Sequence, residues 1–223
     1  MVICAGVWFV MRVMAQRLDR RASPAGWGIG YDRRTLLRFV IGLAIGSIMI
    51  GVQLANIALF GDVALVRNAD FTVALLVPLG FSFLAWAAVE EIAFRSYPLF
   101  RLHDAFGFWT AQFVVALVFA LYHVAGGVPL VQALLGTVVG SLAFGAAALA
   151  SRGLALPIGL HAAWNIGEWL VGSKGERFPS PWSLDISASS AQSVGVAGTV
   201  GYYVVFGMVV LICWFMLRRR RAR

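Results

Sequence analysis

Glu90, Glu91 and Arg95 stand in one long apolar run, His123 in a second, and His161, Asn165 and Glu168 in a third. A charged group at bilayer depth costs about 2–3 kcal/mol or more, so the few that a membrane segment keeps are functional candidates by default. On a helix Glu91 and Arg95 are i and i+4 and share a face where they can form an ion pair, while Glu90 projects roughly 100° away and is left without that partner. Glu91 is then available as a neutralised structural carboxylate, and Glu90, desolvated and unpaired, as a general base. The plainer reading is that both glutamates pair with Arg95 and pin a helix end at the cytoplasmic interface.

His161 and Asn165 are again i and i+4, so imidazole and amide leave one helix face as a paired donor set for a developing oxyanion would, and Glu168 continues that face. A lone intramembrane histidine, such as His123 taken by itself, is more often an interhelical hydrogen-bonder. Together, two histidines, an amide and an unpaired glutamate on three spans supply the base, orienting imidazole and donors that water attack on a carbonyl needs. Other hydrolytic chemistries lack their residues. The sequence has no His-Glu-x-x-His and no Gly-x-Ser-x-Gly, and Asp32 and Asp62 lie in a loop and at a span end, not in facing spans.

The elements that must position these groups are membrane helices. Of the 223 residues 61% are hydrophobic and 13% charged, against roughly 45–50% and about 25% in a soluble domain. Apolar runs predict seven spans at about residues 2–16, 36–60, 71–94, 106–125, 129–150, 154–171 and 197–217. The fold expected is an all-α polytopic membrane bundle forming one domain over 1–223, with its motif core at about 80–170. The first run carries its arginines after the apolar stretch, the reverse of a cleavable signal, and reads as a retained helix shortened by a late start.

Fifteen arginines, from Arg12 to Arg38, at Arg95, Arg101 and Arg152 and in the tail from Arg218, fall on one side of this map, against Arg67, Lys174 and Arg177 on the other. Positive residues collect on the cytoplasmic side, which predicts an outer N-terminus and a basic cytoplasmic tail in a bacterial plasma membrane. The net charge of +8 is thereby explained without nucleic acid. Residues 18–35 read as a cytoplasmic loop with an interfacial turn at Trp27, and 172–190 as an exposed outer loop. Cys4 and Cys213 lie in apolar runs as small hydrophobes, and Gly42/Gly46 and Gly136/Gly140 read as helix-packing pairs.

At about 1.5 Å per residue, His161 lies roughly 13 Å beyond Arg152 and Glu90 roughly 16 Å from Arg101, but His123 more than about 20 Å from Phe108. Straight vertical helices would keep them apart. Convergence requires tilt, or a break near Ser96-Tyr97-Pro98.

Glu90-Glu91-Ile92-Ala93-Phe94-Arg95, Phe119-Ala120-Leu121-Tyr122-His123 and His161-Ala162-Ala163-Trp164-Asn165, in that order, resemble the Glu-Glu-x-x-x-Arg, Phe-x-x-x-His and His-x-x-x-Asn motifs of the CAAX protease and bacteriocin-processing (CPBP or Abi) family. That family includes the eukaryotic Ras-converting endoprotease. The resemblance implies an intramembrane endopeptidase in which Glu90 with His123 activates water, His161 and Asn165 hold the oxyanion, and Glu91 and Arg95 support the site. It implies no required metal, although Glu90, His123 and His161 could hold zinc or another divalent ion with an open fourth position. The expected partners are the lipid bilayer and a peptide or membrane-protein substrate reached through a cavity open to the cytoplasm. Two other readings stand beside it: a catalytically silent immunity or scaffold protein of the same fold, and a proton-coupled transporter, which the lack of an internal repeat disfavours.

Overall fold

The computed structural model describes residues 2–18 and 24–221. Helix α1 (Val2–Leu18) is followed by a 3-10 turn at Pro24–Trp27 and by α2 (Thr35–Leu59). After a strand β1 (Val63–Arg67) come α3 (Leu76–Arg95), α4 (Tyr97–Phe106) and α5 (Phe108–Ala125). Helices α6 (Leu130–Gln132) and α7 (Val138–Ser151) are joined by a π-helical turn, Ala133–Thr137, and α8 (Ala155–Leu170), β2 (Trp182–Ile186) and α9 (Ala191–Arg221) complete the order. The protein is an all-α membrane bundle with one small two-stranded sheet.

Among the described residues, Thr35–Leu59, Val73–Phe106, Phe108–Ala125, Leu130–Ser151 and Ala191–Arg220 are long and apolar enough to cross a membrane. The other two expected spans form as α1 and α8, which are shorter. At 16 residues α8 is about 24 Å long, and it carries the polar groups of the third run.

What holds α8 is the close approach of α2. A Cβ on Gly46 would lie 2.5 Å from the Leu160 carbonyl, and Gly42 and Gly159 sit as tightly against the opposite backbone. Only residues without a Cβ allow this, the small-residue packing used where lipid supplies no hydrophobic drive. Gly140 likewise faces Tyr202, but Gly136 has nothing within 4 Å of its missing Cβ. Gly136 is therefore not a packing contact; its carbonyl accepts from the Tyr202 hydroxyl at 2.8 Å.

The bundle has two distinct ends. At one, β1 pairs antiparallel with β2 from Val63↔Ile186 to Arg67↔Trp182, above the links that close α5 to α6 and follow α8. At the other, the Arg220 guanidinium donates to the Ala150 carbonyl at 2.7 Å, and Leu154 N–H donates to Gly28 C=O. The expected loop 172–190 thus contains a strand, whose partner lies over a hundred residues away. The turn expected at Trp27 is present, and its indole packs inward, 2% exposed, meeting Tyr97 edge-on at 5.6 Å.

The break at Ser96 is present. There ψ is −122°, outside the helical range, and Pro98 falls in the first turn of α4 where its missing N–H is no loss. The Val73–Phe106 segment is thereby bent, so that α5 starts far below the level of Glu90.

Candidate active site

Three bundle helices bring the polar groups together. The Glu90 carboxylate, 3% exposed, accepts a hydrogen bond from the Trp86 indole one turn earlier at 2.7 Å. Its Oε1 lies 3.9 Å from His123 Nε2 on α5 and its Oε2 lies 3.6 Å from His161 Nε2 on α8. Because α4 (Tyr97–Phe106) intervenes after the break at Ser96, α5 begins away from Glu90, and His123, near the end of α5, reaches its level.

The tautomers follow from the outer partners. His123 Nδ1 is 2.9 Å from the Phe119 carbonyl and His161 Nδ1 is 2.9 Å from Glu91 Oε1. A carbonyl and a carboxylate only accept, so each ring carries its proton on Nδ1 and, while neutral, presents a bare Nε2 lone pair to Glu90. Phe144 stacks on His161 at 4.3 Å and 15°, fixing the plane of that ring.

Glu91 and Arg95 form the expected ion pair, with Nη1 and Oε1 3.4 Å apart and neither side chain exposed. Arg95 Nη2 donates to Ser141 Oγ on α7 at 2.8 Å, and the guanidinium lies over the Phe119 ring at 4.0 Å. Burying such a cation is tolerable only beside its counter-charge, and Arg95 Nε and Nη1 have no hydrogen-bond partner besides. The plainer reading of the two glutamates fails on this geometry: Glu90 turns to the histidines, and Arg95 lies inside the bundle and not at an interface. Arg95 therefore leaves the count of loop arginines.

Asn165 shares the His161 face as expected. Its Oδ1 accepts from Lys174 Nζ at 2.9 Å, which leaves the amide N–H groups available to the cavity. Lys174 also pairs with Glu168.

Two cavity lobes, ≈ 450 and ≈ 570 Å³, share His123, His161, Asn165 and Lys174 in their walls. One reaches Val128 and Gln132 beyond α5, and the other runs along α3 past Trp86 and Phe83 to Arg177 and Phe178. Both mouths lie at the sheet end. Below, buried Arg95 and Phe119 close the floor toward the arginine-rich end. The lobes thus lie on the far side of Arg95 and Phe119 from the basic end where Arg220 meets Ala150.

Among the described residues no three His, Cys, Asp or Glu side chains are grouped as a metal cluster, although Glu90 lies 3.6 and 3.9 Å from Nε2 of His161 and His123.

Residues 72–167 match the family model described as type II CAAX prenyl endopeptidase Rce1-like. The matched segment runs through α3 and into α8 and contains all three motifs. No curated protein and no solved structure matches the chain. Four residues of the site escaped the sequence reading. Trp86 was within reach, being i−4 from Glu90; Lys174, the sole lysine, offered a weaker signal; Ser141 and Phe144 offered none, since a serine and a phenylalanine in an apolar helix are ordinary.

Proposed function

We propose that the chain is an intramembrane endopeptidase that hydrolyses a peptide bond with water activated by Glu90. The observation that carries this reading is the Glu90 carboxylate, buried at the cavity wall with Nε2 of two histidines 3.6 and 3.9 Å away. Glu90 with His123 takes a proton from water as the oxygen attacks the scissile carbonyl carbon. That proton passes from Glu90 Oε2 to His161 Nε2, 3.6 Å away, and the imidazolium so formed, supported by Glu91 on Nδ1, holds the oxyanion together with the Asn165 amide. The proton then passes to the departing amine, and the C–N bond breaks.

The side of approach follows from charge. With Arg95 removed, fourteen arginines fall in segments leading to the basic end, against Arg67, Lys174 and Arg177 at the sheet end. The positive-inside rule places the basic end in the cytoplasm, so the cavity receives a peptide or membrane-protein segment presented on the outer face.

The experiment is direct. The full chain in nanodiscs is offered internally quenched peptides ending in Cys-aliphatic-aliphatic-X, prenylated and unprenylated, together with peptides of unrelated sequence. Cleavage by the wild type that falls by about 10²–10⁴ in Glu90→Gln supports the reading. Equal rates in the two proteins, or no cleavage by either, would turn it toward the silent scaffold.

A further inference from the structure

A second cavity of ≈ 520 Å³ opens at the basic end, between the first turns of α2, the end of α7 and the last turns of α9. Its wall holds four guanidinium groups, Arg34 and Arg38 from α2, Arg152 after α7 and Arg220 from α9, beside the apolar side chains of Leu37 and Met216. Leu37 is 57% and Met216 43% exposed, so the lower part of the groove is a greasy surface continuous with the lipid-facing flank.

The charges in this groove are poorly compensated. Arg38 pairs with Asp32 at 3.1 Å, and Arg220 uses one nitrogen on the Ala150 carbonyl, leaving most of its five donors unused. Among the described residues, no carboxylate or carbonyl accepts from the Arg34 or Arg152 side chain. Arg152 also sits at φ 54°, ψ 38°, a left-handed conformation that Asn, Asp or Gly would take more readily. Solvated topology charges need neither a shared concavity nor an apolar wall below them. A phosphate under arginines with acyl chains running over leucine and methionine needs both.

We propose that this groove binds one anionic phospholipid, its phosphate among Arg34, Arg38, Arg152 and Arg220 and its acyl chains along Leu37 and Met216. Basic pockets between spans on the cytoplasmic side favour such headgroups, and each basic residue there contributes a roughly fivefold preference. The proposal is independent of the peptidase reading, since the groove shares no residue with the catalytic cavity.

The test uses the full chain in detergent, with native mass spectrometry after titration with phosphatidylglycerol, phosphatidylcholine or inorganic phosphate. The wild type is expected to retain one phosphatidylglycerol in preference to phosphatidylcholine. Arg34→Gln/Arg152→Asn, in which asparagine accepts the left-handed backbone, should lose that preference roughly thirtyfold while melting as the wild type does. Equal retention of the two lipids by the wild type overturns the proposal without any variant. So does an unchanged preference in the double variant or, should that fail to fold, in Arg34→Gln alone. Displacement of the lipid by millimolar inorganic phosphate would make this a free-anion site and overturn the lipid assignment.

Discussion

Glu91 on α3 accepts a 2.9 Å hydrogen bond from His161 Nδ1 on α8 with the same oxygen that faces Arg95 at 3.4 Å. One buried carboxylate therefore neutralises a guanidinium, sets a tautomer and ties two helices. The adjacent Glu90 does none of these and is turned to the cavity.

This division predicts opposite phenotypes for two neighbouring amides. Glu91→Gln leaves Arg95 buried without its counter-charge and should destabilise the protein by about 3–5 kcal/mol. A melting measurement in detergent checks it, and a wild-type transition would show that the pair contributes little.

Lys174 is expected to act as a positioning residue through Asn165. Lys174→Met frees the amide to rotate and should lower kcat about tenfold or more with little change in KM, in keeping with the strength of a hydrogen bond to a charged group. Lys174→Arg should recover part of the loss. A change confined to KM would mean that Lys174 meets substrate instead.

The glycines of α2 and of the π-helical turn should behave differently. Gly46→Ala drives a methyl to 2.5 Å from the Leu160 carbonyl and should destabilise by about 1–3 kcal/mol. Gly136→Ala meets nothing within 4 Å and should leave the melting temperature within error. The two variants compared side by side test whether α2 and α8 touch at the backbone.

Much of this arrangement was legible in the residues. Apolar run length marked the seven spans, because a bilayer demands about 20 such residues, and the i, i+4 spacing of Glu91 with Arg95 already separates the two glutamates; α4, which lies between the third and fourth spans, was not marked. The β1–β2 pairing was not legible, since five-residue strands divided by four bundle helices leave no local periodicity. Nor was the direction of the cavity, which depends on where Arg95, Phe119 and Phe144 fill the bundle. Arg95 misled the charge count for the same reason: a residue at the end of an apolar run reads as a loop charge, and only the bent continuation into α4 puts it inside.

Orientation has its own test in intact bacteria expressing the chain without its native cysteines. Ser173→Cys at the cavity mouth and Asp185→Cys on β2 should react with a membrane-impermeant maleimide, while Arg219→Cys should react only after permeabilisation. The reverse pattern would return the cavity to the cytoplasm and leave the catalytic assignment standing.

The most direct measurement is kcat and melting temperature taken together for Glu90→Gln in nanodiscs. A base held in a buried, unpaired state contributes to rate and not to stability, so kcat should fall about 10²–10⁴ while the melting temperature stays level or rises. Full activity in Glu90→Gln, or a loss of stability as large as that of Glu91→Gln, would contradict Glu90 as the group that activates water.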